Sequence, residues 1–198
     1  MWVLPSRGRP QNIARLIKAY NETGASTPVW LRMDDDDIHH PGPYPDTWTV
    51  EIGPRLPLSN IYNEAYQKAP DSPWWGFIAD DVVPVTPGWD RTLIEIAGRD
   101  GMAIPLGGHG GVPHFVLGGN LAQFMGWLAL PGLDRLYIDT VWGDIAKKHN
   151  VLRYVPDVIL EHHHFSNGKA LFDKTYRKER KAQDKLIYEK WRKNDYSS

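Results

Sequence analysis

The sequence predicts an α/β domain, with a largely parallel central sheet flanked by helices. Three observations predict it. Up to about residue 98 the apolar periodicity alternates, in the order strand, helix, strand, strand, helix, strand, helix. Polar clusters follow the first, second and fourth of these strands: "PSRGRP", the four aspartates 34–37, and the pair Asp80–Asp81. In open α/β sheets the ligand site lies beyond the carboxyl ends of the strands, where these clusters fall.

Each element has its own signal. "WVLP" is a short apolar strand, and "SRGRP" after it is a turn-rich loop. Asn12 opens a helix with Ile13, Leu16, Ile17 and Tyr20 on one face, and Gly24 closes it. "PVWLRM" is the second strand and "TWTVEIG" alternates like a third. "LSNIYNEAYQKA" has Ile61, Ala65 and Ala69 on one helical face beside Tyr62 and Tyr66. "WWGFIADD" is the fourth strand. Thr86 caps the next helix, with Pro87 in its first position, where a missing N–H costs nothing. The second half is less regular. A Gly-rich, aromatic stretch over 101–131 suggests short strands and loops that shape a pocket. "LYIDTVWGDIAKKHN" reads as a strand into a helix, with Asp139 near its start and Asn150 as a left-handed cap. "VLRYVP" and "DVILEHHHF" are further strands, and a basic helix ends the sequence.

Composition fits one soluble globular domain over residues 1–198: 41% hydrophobic, 24% charged, with no repeat or low-complexity linker. No apolar run reaches the ~18–20 residues that a membrane span needs. "MWVLPSRGRP" lacks the cationic and apolar regions of a signal peptide, so none is expected. The absence of cysteine fits a reducing cytosol. Net charge is −1, but residues from Lys169 onward carry +5 and the rest −6. That basic tail is either a solvated helix packed by Tyr176, Leu186, Ile187 and Trp191 or a surface for a polyanion.

Asp80 and Asp81 end an apolar run abruptly. Carboxylates there can cap the following loop through backbone N–H groups. They can also hold a divalent metal, which offsets their mutual repulsion. "ILEHHHF" favours the metal. It puts His162 and His164 on one face of a strand and His163 on the other. Imidazoles suit Mn, Fe and Zn, and a mixed oxygen and nitrogen site with open positions could also grip phosphate oxygens.

With these residues in view, the chain resembles small glycosyltransferases of the GT-A fold, Rossmann-like and of the family-2-like kind found in phages and bacteria. The resemblance rests on "VLPSRGRPQNIARLIKAY", an acid after the second strand, "GFIADDV" at the place of the DxD motif, "YIDTVWGDIAKKHNV" and a late histidine. It covers most of residues 2–168. The family's motif usually sets its aspartates two apart, whereas here they adjoin. The resemblance implies a nucleotide-binding half (1–98), an acceptor and metal half (99–168) and a helical tail (169–198). It implies transfer of a hexose or similar sugar from a nucleotide sugar, with UDP as the expected nucleotide, to an acceptor hydroxyl with inversion.

Residue by residue, Pro5 and Ser6 would lie along the nucleotide, with Arg7 or Arg9 near base or phosphate. Asp34 or a neighbour would accept from the base edge, and Arg55 and Asn60 are candidates for diphosphate or ribose. Asp81 with His164 or His162 would hold Mn2+ or Mg2+, while Asp80 would meet a ribose hydroxyl or the metal. Counting back from Asn150, which stands where the family has a helix-ending glycine, gives Asp139 as general base, with Asp144 as runner-up. Trp127 and Trp142 could offer stacking faces to a sugar.

Other readings differ in class. A nucleotidyltransferase shares the early βα architecture, but its loop after the first strand is richer in glycine than "PSRGRP". An inactive nucleotide-sugar or carbohydrate-binding protein of this fold is a second. A metal-dependent hydrolase is a third, without any HExxH spacing to support it. The acceptor is a saccharide, a small molecule or, through the basic tail, a modified base in DNA. The expected compartment is the cytoplasm, that of the host if a phage encodes the protein.

Overall fold

The computed structural model describes residues 1–37, 42–106, 114–163, 168–169 and 181–195. Its strands are β1 (Trp2–Ser6), β2 (Val29–Asp34), β3 (Trp48–Gly53), β4 (Trp74–Phe77), β5 (Val82–Pro84), β6 (Met102–Leu106), β7 (Phe115–Gly118) and β8 (Leu152–His162). The helices are α1 (Pro10–Glu22), α2 (Leu58–Lys68), α3 (Trp89–Ala97), α4 (Gly119–Met125), α5 (Ile138–Lys148) and α6 (Lys181–Asp195). None of the described helices is long and apolar enough to cross a membrane.

All eight strands join one sheet, in the order β3-β2-β1-β4-β7-β6-β8-β5. The first four are parallel, as expected. The rest is mixed: β7 runs antiparallel to β4 and β6, β8 is parallel to β6, and β5 is antiparallel to β8. The sheet is therefore less parallel than the early alternation predicts, because β7 runs against both of its neighbours and β5 against β8.

Alternate residues of each strand feed two cores. Val3, Trp30, Trp75, Phe77, Phe115 and Leu117 pack under α2, α4, α5 and α6. Trp2, Leu4, Leu31, Met33, Val82 and Val116 pack under α1 and α3. Gly76 is required by this packing, since a methyl group there would lie 2.1 Å from the Trp2 ring.

The sheet must curl. β5 is four strands from β4 in the sheet, about 19 Å across a flat one. Yet Asp81, whose carbonyl accepts from the His163 N–H (2.7 Å), lies only four residues beyond Phe77, a reach of about 14 Å at most. A bulge in β8 makes the bend: one step on β6, from Pro105 to Leu106, matches the stretch from Val155 to Ile159. The first part of β8 pairs with β6, and its end turns to pair with β5.

Local differences from expectation have simple causes. The two strands predicted over 151–165 form one continuous β8 as far as His162. α3 starts at Trp89 after a left-handed Gly88. Thr86 instead links β5 to β8, accepting from Ile159 N–H (2.9 Å) and donating to the Asp157 carbonyl (3.3 Å). The predicted strand before Asp139 is absent, since Tyr137 takes left-handed angles (φ 69°) and the helix follows directly. Gly24 and Asn150 close α1 and α5 in left-handed conformations, as predicted.

Candidate functional site

The stretch Ser6–Arg9, at the end of β1, ties together the acids at the ends of two other strands, β2 and β4. The Ser6 hydroxyl donates to Asp80 at 2.7 Å. Arg7 pairs with Asp34 (3.4 Å) and Asp36 (2.6 Å), and the Gly8 N–H donates to Asp37 (2.5 Å). Arg9 lies 3.1 Å from Asp80 and 3.5 Å from Asp81. Arg9, Asp80 and Asp81 are all buried. Both arginines are thus engaged with carboxylates of the chain itself.

Asp80 and Asp81 adjoin in sequence but differ in surroundings. Burial pushes the Asp80 carboxyl above its ordinary range, opposed by Arg9 and by the Ser6 hydrogen bond. Burial acts on Asp81 in the same sense, but the hydrogen bond and charge of His162 outweigh it and hold the carboxyl at about 2. The His162 Nε2 lies 3.1 Å from Asp81 Oδ1, while Arg9 faces Oδ2. β5 and β8 make this contact, because their ladder begins where Asp81 meets the end of β8. His163 points away and its ring meets Glu161 at 3.3 Å, so the predicted alternation holds here. His164 lies outside the described residues.

His114, immediately before β7, joins the same cluster. Its ring stands edge-on to that of His162, with centroids 5.0 Å apart. Ligand atoms of Asp81, His114 and His162 all lie within 4.8 Å of one another. His114 is 3% exposed, and neither ring nitrogen has a hydrogen-bond partner among the described residues. Burial, reinforced by His162, lowers its imidazole to about 3, which keeps it neutral and its lone pair available.

No protein-family model and no curated protein matches the sequence. Solved structures do match the fold. A mannosyltransferase from Pyrobaculum calidifontis, determined in complex with GDP-Man and Mn2+, matches with a TM-score of 0.61 at 11% identity, over 81% of this chain. The chain spans 55% of the length of that protein. A proposed glucose-1-phosphate thymidylyltransferase from Bacillus anthracis, solved with sucrose, matches with a TM-score of 0.53 at 7% identity. That match covers 87% of this chain and 97% of the other. A mycobacterial protein matches at 0.57 and 9% identity, over 82% and 67% of the two chains. At such identities the likeness is one of fold. The chain shares its α/β fold with these proteins.

The remaining sequence-predicted residues divide by place. Pro5 is half-buried within β1, opposite Arg32 of β2. Asp34 is buried, which raises its carboxyl, and the charges of Arg7 and the exposed Arg55 oppose that rise. Asn60 is exposed in the first turn of α2. Asp139 is the second residue of α5, where a negative charge suits the helix dipole, and its charge acts on the buried Tyr62. Tyr62 packs on Phe77 (4.6 Å) and Phe77 on Phe115 (4.2 Å), a column running from α2 to the residue beside His114. Asp144 instead accepts from Tyr188 of α6 (2.6 Å), with Arg192 3.8 Å away. Trp142 is fully buried and its indole N–H donates to the Leu128 carbonyl, so it serves the core and presents no open face. Trp127, half-buried, packs against it at 5.2 Å.

His114 is the residue that sequence reading missed. Its signal was faint: one titratable residue at the entry to the apolar run "FVLGG", with no motif spacing around it.

Proposed function

We propose that the protein is a metal-dependent transferase that moves a sugar from a nucleoside-diphosphate sugar to an acceptor hydroxyl. The observation that carries this reading is the contact between Asp81 and His162 at the carboxyl ends of the strands, on a fold shared with nucleotide-sugar transferases. The buried, unpartnered nitrogens of His114 beside that contact fit a divalent ion there. Such an ion, when bound, neutralises charge that develops on the departing nucleoside diphosphate.

The chain's own groups supply the rest. Asp81 and His162 hold the ion. Asp80, already engaged by Ser6 and Arg9, orients the loop after β1 and takes a ribose hydroxyl. Asp34, with Arg7 and Arg55 around it, accepts from the base edge. Asp139 takes the proton of the acceptor hydroxyl as that oxygen attacks the anomeric carbon in line, which inverts the configuration. A saccharide or small-molecule hydroxyl suits this reading better than DNA. Tyr188, Trp191 and Asp184 of the basic tail's helix are buried against the body. Uridine sugars are the first donors to try, with GDP-mannose beside them.

A nucleotidyltransferase is supported by the second fold match. The closure of "SRGR" onto aspartates weighs against it, since that loop would have to cradle a triphosphate. The two activities leave different products. The purified protein, incubated with a panel of nucleotide sugars and Mn2+, should release nucleoside diphosphate from one of them. Release should stop with EDTA and in Asp81→Ala. Pyrophosphate release from a nucleoside triphosphate and a sugar 1-phosphate, without any nucleoside diphosphate from nucleotide sugars, would overturn the reading.

A further inference from the structure

Among the described residues, no hydrogen bond accounts for an imidazole at position 114. The residues that follow it, Phe115, Val116 and Leu117, are fully or almost fully buried and apolar. Burying two polar nitrogens without hydrogen bonds is unfavourable by a few kcal/mol. The chain bears that cost where a carboxylate and a second imidazole converge. The Asp81 carboxylate is divided, with Oδ2 toward Arg9 and Oδ1 toward His162, so its coordinating side faces the two rings.

We propose that His114 is a third protein ligand, which makes the centre a site of two imidazoles and one carboxylate, selective for first-row transition ions such as Mn2+ over Mg2+. The proposal rests on the reading of Asp81 and His162 as ligands. Its chemistry follows from the donors. Mg2+ is small and hard, prefers an octahedron of oxygens and gives up its waters reluctantly. Imidazole nitrogen suits first-row transition ions, Fe, Ni, Cu and Zn most of all. Mn2+, although it also takes oxygen donors, accepts nitrogen more readily than Mg2+ does. With two of three protein donors nitrogen, Mg2+ gains little from the site. With Asp81 and His162 alone, the balance of oxygen and nitrogen would discriminate far less. Asp80 is not in the set, since the ligand atoms that converge are those of Asp81, His114 and His162.

The test uses the full chain and the metal alone, so it needs neither donor nor acceptor. Mn2+ binding is followed by loss of the free-ion electron paramagnetic resonance signal, with circular dichroism to verify folding. The wild type should bind one Mn2+, and a large excess of Mg2+ should fail to displace it. His114→Gln should weaken Mn2+ at least ~tenfold, in the range typical for disturbing a metal shell, and let Mg2+ compete. Pulsed resonance should count one fewer coupled imidazole nitrogen in that variant; His114→Asn provides a second attempt if the first misfolds.

If His114→Gln binds Mn2+ as tightly as the wild type while Asp81→Asn and His162→Gln lose it, the third ligand is refuted and the two-ligand site stands. Loss of a nitrogen in His164→Gln, and not in His114→Gln, refutes it equally. A wild type that binds no Mn2+, or an Asp81→Asn that binds it unchanged, overturns the metal reading and this proposal together.

Discussion

Arg9 has a double place among the residues of the site. It is 3.1 Å from one buried carboxylate and 3.5 Å from the next, so it offsets a repulsion the fold would otherwise have to bear. Removing one partner of a buried charged network is strongly destabilising, because the others stay buried without compensation. Arg9→Gln should therefore cost about 3 kcal/mol of unfolding free energy. Mn2+ should restore part of that loss, which chemical denaturation with and without the ion will show. Tyr62 offers a test at high pH. Burial, with the charge of Asp139 second, raises its hydroxyl above the ordinary value of about 10. The unfolded chain then loses that proton first as pH rises. The stability linked to Tyr62 is fully present below pH ~10 and is lost progressively above it. Denaturation profiles should show a shallower alkaline decline in Tyr62→Phe than in the wild type. An identical decline would mean that Tyr62 is not the group responsible.

Among the elements, α6 is a clamp more than a tail. The buried Asp184 accepts the N–H groups of Asp134, Arg135 and Leu136 at 2.8, 3.0 and 2.8 Å. Tyr188 stacks on Tyr137 at 4.9 Å, with planes 14° apart, where the backbone is left-handed just ahead of α5. Asp184→Ala would strand three donors and should cost about 2 kcal/mol or more, read as a lowered denaturation midpoint. Salt should not reproduce the effect if the bonds are sheltered. The sequence disclosed the elements better than their joints. Alternating apolar runs with Gly and Asn signals place α1, α2, α5 and the first four strands, because those patterns are local. The bulge in β8, the strand order beyond β4 and the docking of α6 depend on contacts between residues far apart, and no local pattern encodes them. The site divided likewise. Asp81 and His162 stood out as an acidic pair and a histidine run. His114 did not, because only the curl of the sheet brings it to them.

For the whole molecule, the donors of the proposed centre are the residue before β5, the residue before β7 and the last residue of β8. An unfolded chain cannot gather them, so metal affinity is also folding free energy. Mn2+ at a hundred times its dissociation constant should raise unfolding stability by about 2.7 kcal/mol, measured by denaturant titration. Asp81→Asn should abolish that gain while leaving the chain folded. The curl also bears on how the strands are kept from sliding. Deleting one residue from the bulge before Val158 would move β8 by one place, and His163 would arrive where His162 now stands. A metal would accept the exchange, one imidazole for another. The core would not, because the same slip would put Glu161 in the place of the buried Leu160. Consecutive histidines would leave a bound ion indifferent to the alignment of this strand, so leucine and valine, not the proposed ligands, keep the count.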